Sequence, residues 1–170
     1  MRRRTGITFS SFDLLHAGHV DMLREAKTVC DYLICGLQTD PTLDRIEKNA
    51  PIQTLPERYI QLSGIKYVDE IIPYQTESDV VDILNMFNID VRIIGAEYKN
   101  IEFTGKSDCE KNGIELYYNE RNHRFSSSDL RQRVYSREKC NEKFYIDKSV
   151  TVDFSKKSMR EWAEEYKKKV

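Results

Sequence analysis

The chain has 170 residues, of which 39% are hydrophobic and 32% charged, and its formal net charge is −1 at pH 7. This length fits one domain with a substantial core. The near-neutral charge excludes the nonspecific attraction by which basic proteins bind nucleic acid or acidic membranes. No apolar run approaches the ~20 residues of a membrane span, and no hydrophobic signal region follows the basic start. The four cysteines lack C-x-x-C spacing, which favours reduced thiols in a cytoplasmic protein.

Short apolar segments alternate along the chain with segments of helical periodicity. The predicted strands are 6–9, 32–38, 70–73, 91–94 and 114–118, and the predicted helices are 18–27, 56–64, 79–88, 105–111 and 127–136. Apolar side chains in the third helix recur with the helical period, at Val80, Val81, Ile83, Leu84 and Phe87. Strands separated by helices predict an α/β fold with a Rossmann-like, doubly wound, parallel five-stranded sheet and helices on both faces.

The composition changes after Ser136, where the chain becomes strongly charged. We therefore predict a domain over 1–136 and a C-terminal extension over 137–170. The last part of the extension, 155–170, has a helical pattern that places four apolar side chains on one face: Met159, Trp162, Ala163 and Tyr166. This pattern predicts a terminal helix that packs on the domain or on a second subunit.

Four polar residues follow predicted strands, namely His16, Asp40, Glu97 and Arg121. Ligands of parallel α/β sheets bind beyond the carboxyl ends of the strands, near the point where the strand order reverses. We therefore expect these four residues to meet in one crevice.

The most informative segment is 9–19, Phe-Ser-Ser-Phe-Asp-Leu-Leu-His-Ala-Gly-His, between the first strand and the first helix. His16 and His19 lie at a helix start, where unpaired N–H groups and the helix dipole favour an anion. Gly18 lacks a Cβ and lets the backbone approach a phosphate closely. The segment predicts binding of a nucleoside triphosphate. The alternatives are incidental loop histidines or a metal site, for which no third ligand has a recognisable spacing.

These eleven residues resemble the Gly-Thr-Phe-Asp-x-x-His-x-Gly-His element of the cytidylyltransferase-like nucleotidyltransferases. The resemblance extends from about residue 6 to about residue 134. The segment 31–40 resembles the family's second strand with its terminal Thr/Ser-Asp, and 66–73 resembles its Arg-Tyr-Val-Asp-Glu-Val-Ile-Pro segment. The segment 121–128 matches in length the closing Arg-Thr-x-Gly-Ile-Ser-Thr-Thr/Ser element.

The resemblance implies an enzyme that transfers CMP from CTP to a small phosphorylated alcohol and releases pyrophosphate. Glycerol 3-phosphate is the first expected acceptor. The alternatives are phosphoethanolamine or phosphocholine as acceptor, ATP-dependent transfer to a sugar phosphate or FMN, and a nucleotide-binding module without catalysis. Mg²⁺ is expected as a cofactor held mainly by the nucleotide phosphates, with no protein metal ligand. The resemblance also implies a homodimer.

Residue by residue, the resemblance assigns three groups of site residues. The expected catalytic residues are His16, His19, Lys48 and Arg121. The expected nucleotide-binding residues are Ser10, Ser11, Phe12, Gly18, Gly95, Glu97, Arg121, Ser126, Ser127 and Ser128. The expected acceptor-binding residues are Asp13, Asp40, Lys48 and Arg58.

Some of these residues have an alternative, structural interpretation. Asp13 is equally suited to ordering its loop, Arg58 to a surface ion pair, and the serine run to capping the last helix. Several positions depart from the family pattern, among them Ser10, Ala50, Ala96, Tyr98 and Arg124. The serine run followed by Leu130-Arg131 also resembles the Ser-Ser-Thr-x-x-Arg element of adenylyltransferases, which keeps ATP open as the nucleotide.

Overall fold

The computed structural model describes residues 2–120 and 125–140. Five strands form one sheet: β1 Thr5–Ser10, β2 Tyr32–Gln38, β3 Glu70–Tyr74, β4 Val91–Gly95 and β5 Glu115–Asn119. Their order across the sheet is β3-β2-β1-β4-β5, and all neighbouring strands are parallel. The order reverses between β1 and β4, which is where a ligand crevice is expected in such sheets.

The described part of the chain contains five α-helices: α1 Ala17–Val29, α2 Leu55–Ser63, α3 Glu77–Met86, α4 Lys106–Asn112 and α5 Ser127–Cys140. Short 3-10 helices follow β2, at Pro41–Leu43, and β4, at Ala96–Tyr98. Reciprocal capping boxes fix two of the helix starts, Thr54 with Glu57 before α2 and Thr76 with Asp79 before α3. The second box explains why α3 begins two residues before its predicted start.

Apolar side chains cover both faces of the sheet. On one face, Leu23 of α1 and Leu62 of α2 pack in a buried cluster with Leu33 and Leu37 of β2. On the other face, α3 and α4 pack in a second cluster with two strand residues, Ile7 and Ile34. Alternate residues of β2 therefore enter different clusters, as the two-residue period of a strand requires. The predicted doubly wound α/β fold is confirmed.

The backbone divides into two compact units, Met1–Tyr135 and Ser136–Val170. The first unit contains the whole sheet, and the second contributes residues 136–140, in α5, to the described part of the chain. The predicted terminal helix over 155–170 lies outside the described residues. No helix within 2–120 and 125–140 is long and apolar enough to cross a membrane. Cys30, Cys35 and Cys109 are buried free thiols, and burial raises the pKa of each.

Candidate active site

A cleft of about 760 Å³ opens at the carboxyl ends of the strands. Each of the five strands contributes a residue from that end to its lining: Ser10, Gln38, Tyr74, Gly95 and Asn119. The first residues of α1, α3 and α5, the loop after β2 and the segment after β4 also contribute to the lining. The cleft therefore lies where the reversal of strand order places it.

The two histidines of the first βα turn lie side by side in this cleft. His16 is the N-cap of α1, and its Nδ1 accepts a 3.1 Å hydrogen bond from the Gly18 N–H. Nδ1 of His19 accepts from the His16 N–H at 3.4 Å, and the two rings stack with centroids 4.0 Å apart. Because each Nδ1 accepts, a neutral ring carries its proton on Nε2. Both rings thus offer an Nε2–H donor at a helix N-terminus that favours anions.

The backbone before α1 is held in an unusual conformation. Phe12 and Leu14 have φ angles of 48° and 50°, in the left-handed region that costs non-glycine residues energy and is retained at functional sites. The Phe12 ring is fully buried in the core. The position of this ring therefore does not support the expected contact of Phe12 with the nucleotide. The ring instead holds the turn against the core.

Asp13 lies between these two residues and is 3% exposed. Its Oδ1 accepts hydrogen bonds from the backbone N–H groups of Ile52 and Gln53 at 3.1 and 2.9 Å. Its Oδ2 accepts from Nη2 of Arg131, in α5, at 2.6 Å. Burial acts to raise the pKa of this carboxyl, but the three hydrogen bonds outweigh it and hold the pKa below the usual value. Asp13 therefore orders the loop, which favours its structural interpretation over acceptor binding.

Arg58 is 2% exposed and does not line the cleft. Its guanidinium donates to four backbone carbonyl oxygens: those of Gln53, Ser11, Gln38 and Thr39, at 3.1, 2.8, 2.6 and 2.7 Å. These bonds join the ends of β1 and β2 to the start of α2. The placement argues against the predicted acceptor contact and also against a surface ion pair.

The Asp40 side chain likewise makes its hydrogen bonds within its own turn. Its Oδ1 accepts from the N–H and the hydroxyl of Thr42 at 2.9 and 2.7 Å, and these bonds hold its pKa below the usual value. Asp40 does not line the cleft, whereas the exposed Lys48 in the loop that follows does. Of the expected acceptor residues, Lys48 is the one that presents a mobile cation to the cleft.

Gly95 ends β4, Glu97 follows two residues later, and both line the cleft. A Cβ at Gly95 would overlap the carboxylate of Glu97. The position of this carboxylate therefore depends on the missing Cβ, whereas the φ of −63° is open to any residue.

The serine run supplies the second helix start of the cleft. Ser126 Oγ accepts from the Asp129 N–H at 3.0 Å and caps α5. Ser127 Oγ donates to the Asp13 carbonyl at 2.9 Å, and all three serines line the cleft. The predicted capping role is therefore confirmed for Ser126. Arg121, expected beside this element, lies outside the described residues.

Sequence reasoning missed Arg92, which lies on β4 with 6% exposure and borders the cleft. Its Nη1 donates to the Thr104 carbonyl at 2.7 Å. Its guanidinium lies 5.1 Å from the ring centroids of both Phe9 and Phe103. The signal was a lone arginine inside an apolar strand.

The chemistry of the cleft suits phosphate groups. Imidazole N–H, serine hydroxyl, lysine ammonium and helix N–H groups are all donors to anionic oxygen. Within the part of the chain that the structure describes, no three His, Cys, Asp or Glu side chains are grouped to hold a metal ion. This donor set fits Mg²⁺ that enters with a triphosphate and is held by its oxygens.

Fold and cleft together are those of an α/β protein whose ligand crevice, at the carboxyl ends of the strands, is lined with donors that suit phosphate groups. The family described as cytidylyltransferase-like matches residues 7–133. The chain belongs to this family and is a nucleotidyltransferase, which confirms the predicted family and enzyme class.

Similar proteins extend over most of the chain. The glycerol-3-phosphate cytidylyltransferase of Staphylococcus aureus is 31% identical over 132 residues, which are 78% of this chain and 96% of that protein. The enzyme of the same name from Bacillus subtilis is 33% identical over 132 residues, which are 75% of this chain and 95% of that protein. A crystal structure of a lipopolysaccharide core biosynthesis protein from Thermoplasma volcanium has a TM-score of 0.58 at 26% identity. The match covers 74% of this chain and 100% of that chain.

Proposed function

We propose that the protein transfers CMP from CTP to glycerol 3-phosphate, giving CDP-glycerol and pyrophosphate. The observation that carries this proposal is the stacked His16–His19 pair, which lines one cleft together with Lys48 and the serine start of α5. The similarity to two glycerol-3-phosphate cytidylyltransferases over nearly their whole length supports the choice of nucleotide and acceptor.

The reaction needs positioning and charge stabilisation more than proton transfer. An oxygen of the acceptor phosphate forms a bond to the α-phosphorus of CTP, and the bond from that phosphorus to the bridging oxygen of the leaving group breaks. Pyrophosphate leaves with the electron pair. The acceptor is already anionic at neutral pH, so no general base is required, and the protein acts by alignment and by stabilising developing charge.

Each group of the cleft has a role in this scheme. The Nε2–H groups of His16 and His19 donate to the phosphate oxygens that gain charge in the transition state. The N–H groups and hydroxyls at the start of α5 hold the leaving phosphates, and Arg121 is proposed to add a cation there. Lys48 bridges the acceptor phosphate and the triphosphate, and Glu97 accepts a hydrogen bond from the exocyclic amine of the base. Mg²⁺ neutralises the triphosphate when it arrives as Mg·CTP.

The remaining features of the proposal concern the whole protein. We propose a cytoplasmic homodimer whose catalytic domain is 1–136 and whose extension is 137–170. Its partners are CTP and the phosphorylated acceptor, with neither nucleic acid nor membrane among them.

Pyrophosphate release tests the proposal. CTP and ATP are each combined with Mg²⁺ and one acceptor: glycerol 3-phosphate, phosphoethanolamine, phosphocholine, a sugar phosphate or FMN. A double variant, His16→Ala with His19→Ala, is purified in the same way and reports contaminating activity. The proposal expects release with CTP and glycerol 3-phosphate. Release that requires ATP overturns the nucleotide, and stabilisation by CTP without release for any pair favours a module without catalysis.

A further inference from the structure

Several buried polar atoms near the end of β2 have no hydrogen-bond partner. Among the described residues, four buried side-chain nitrogen or oxygen atoms have no hydrogen-bond partner, and three of them belong to the end of β2 and the turn after it: Gln38 Nε2, Thr39 Oγ1 and Arg45 Nε. Buried polar groups in folded proteins are almost always paired, so such a cluster calls for an explanation.

Gln38 is the central member of this cluster. It is 3% exposed and lines the cleft. By strand alternation its side chain shares the face of Ile34, the face covered by α3, and it pairs in register with Tyr74 on β3. An apolar side chain of the same length would fill this position without leaving a donor unpaired. Packing alone therefore does not account for an amide here.

The surroundings of Gln38 carry positive charge and aromatic surface. Phe9 and Tyr74 meet edge to face with centroids 5.5 Å apart, and the Arg92 guanidinium lies over the Phe9 ring. At the rim, Arg45 pairs with Glu77 at 2.7 Å.

We infer that Gln38 is a specificity-determining residue, whose amide binds a hydroxyl group on the alcohol part of the acceptor. The inference rests on the proposed function, since it places the acceptor phosphate near His16 and Lys48 in the same cleft. The chemical class of acceptor is then a phosphorylated alcohol that carries a further hydroxyl group. Hydroxyl recognition by a buried amide is selective, because an acceptor without the hydroxyl leaves the amide unpaired.

The experiment compares two acceptors that differ in their hydroxyl groups, glycerol 3-phosphate and propyl phosphate. Values of kcat/KM are measured for both with the full-length wild-type protein and with Gln38→Met, which keeps the side-chain length and removes the amide. Gln61→Met is the matched control, because Gln61 is exposed on α2. We expect Gln38→Met to lower the preference for glycerol 3-phosphate, measured as the ratio of its kcat/KM to that of propyl phosphate, about tenfold or more. The KM of CTP should stay at the wild-type level. The thermal stability should be equal to that of the wild type or higher. Gln61→Met keeps the wild-type preference.

Two outcomes overturn the inference. An unchanged preference in Gln38→Met, or an equal loss with both acceptors, removes the amide from hydroxyl recognition. Gln38→Leu is measured in parallel, so that poor folding of one variant does not end the test. Failure of the proposed function is seen separately, because the wild-type protein then releases no pyrophosphate with CTP and glycerol 3-phosphate.

Discussion

The Asp13 carboxylate lies 2.6 Å from the Arg131 guanidinium, and this ion pair joins residues 118 positions apart in the chain. Asp13 lies in the turn that presents His16 and His19, and Arg131 lies in the first two turns of α5. The pair therefore holds together the two helix starts that line the cleft. The hydrogen bond from Ser127 Oγ to the Asp13 carbonyl oxygen joins the same two segments.

Asp13→Asn is expected to lower the free energy of unfolding by about 2 kcal/mol. This loss is smaller than the usual cost of breaking a fully buried ion pair, because the Arg131 side chain is partly exposed. The amide keeps an acceptor for the loop N–H groups but leaves Arg131 without its charge partner. Urea unfolding at pH 7 measures the loss. In a double-mutant cycle with Arg131→Met, we expect a coupling energy above about 0.5 kcal/mol, and additive effects would contradict the pairing.

The same carboxylate predicts a dependence of stability on pH. Its pKa in the folded protein lies below the ordinary value of 3.8. The stability that it contributes is therefore fully present above that value and is lost as the pH falls through the folded-state pKa. Urea unfolding of the wild type and of Asp13→Asn should show a gap at pH 7 that narrows at pH 3. A gap of constant size would mean that the charge of Asp13 is not responsible.

His19→Ala is expected to remove most turnover while the protein stays folded. The ring supplies a donor to the phosphates, and loss of such a donor typically costs about 10²–10³ in kcat. Its hydrogen bond to the His16 N–H is long, at 3.4 Å, so the melting temperature should fall little. Steady-state kinetics and thermal unfolding are measured on the same preparation. Wild-type kcat with an unchanged melting temperature would exclude His19 from the mechanism.

Arg58→Lys separates a structural role from acceptor binding. A lysine cannot make the four carbonyl contacts of the guanidinium, and we expect a loss of at least about 3 kcal/mol in unfolding free energy. The KM for the acceptor, measured at a temperature where the variant is folded, should stay within about twofold of wild type. A raised acceptor KM without a loss of stability would restore the direct contact that the sequence predicted.

Gly95→Ala is expected to displace the Glu97 carboxylate, because the new Cβ would overlap it. The backbone conformation suits alanine, so the fold should be retained and the KM for CTP raised. Gly64→Ala is the control, since its nearest contact would be an ordinary one, 3.5 Å from the Gln61 carbonyl oxygen. An equal effect of the two substitutions on the KM for CTP would contradict the proposed role of Glu97.

The alternation of strands and helices predicted the fold because each signal is local. The apolar runs and the His16–His19 spacing are both contained within a few residues. The part of the cleft formed by the helix starts and the serine run was predictable for the same reason. Helix starts and serine runs are visible in the sequence, and the sheet topology brings them to one edge.

The supporting contacts were not predictable, because they depend on which distant segments meet. A sequence with Arg58 near a helix start gives no sign that its guanidinium is buried among the carbonyls of three segments. The Asp13–Arg131 pair spans most of the domain. The unpaired amide of Gln38 becomes visible when β2, β3 and α3 are assembled around it.

The central claim is that this cleft joins CMP to a phosphorylated alcohol. The most direct test is to incubate the protein with Mg²⁺, CTP labelled with ³²P at the α-phosphate and glycerol 3-phosphate, and then to identify the labelled product by chromatography and mass spectrometry. We expect the label to move from CTP into CDP-glycerol, with one pyrophosphate released for each product formed. Label that stays in CTP, or that appears as CMP with no acceptor attached, would contradict it.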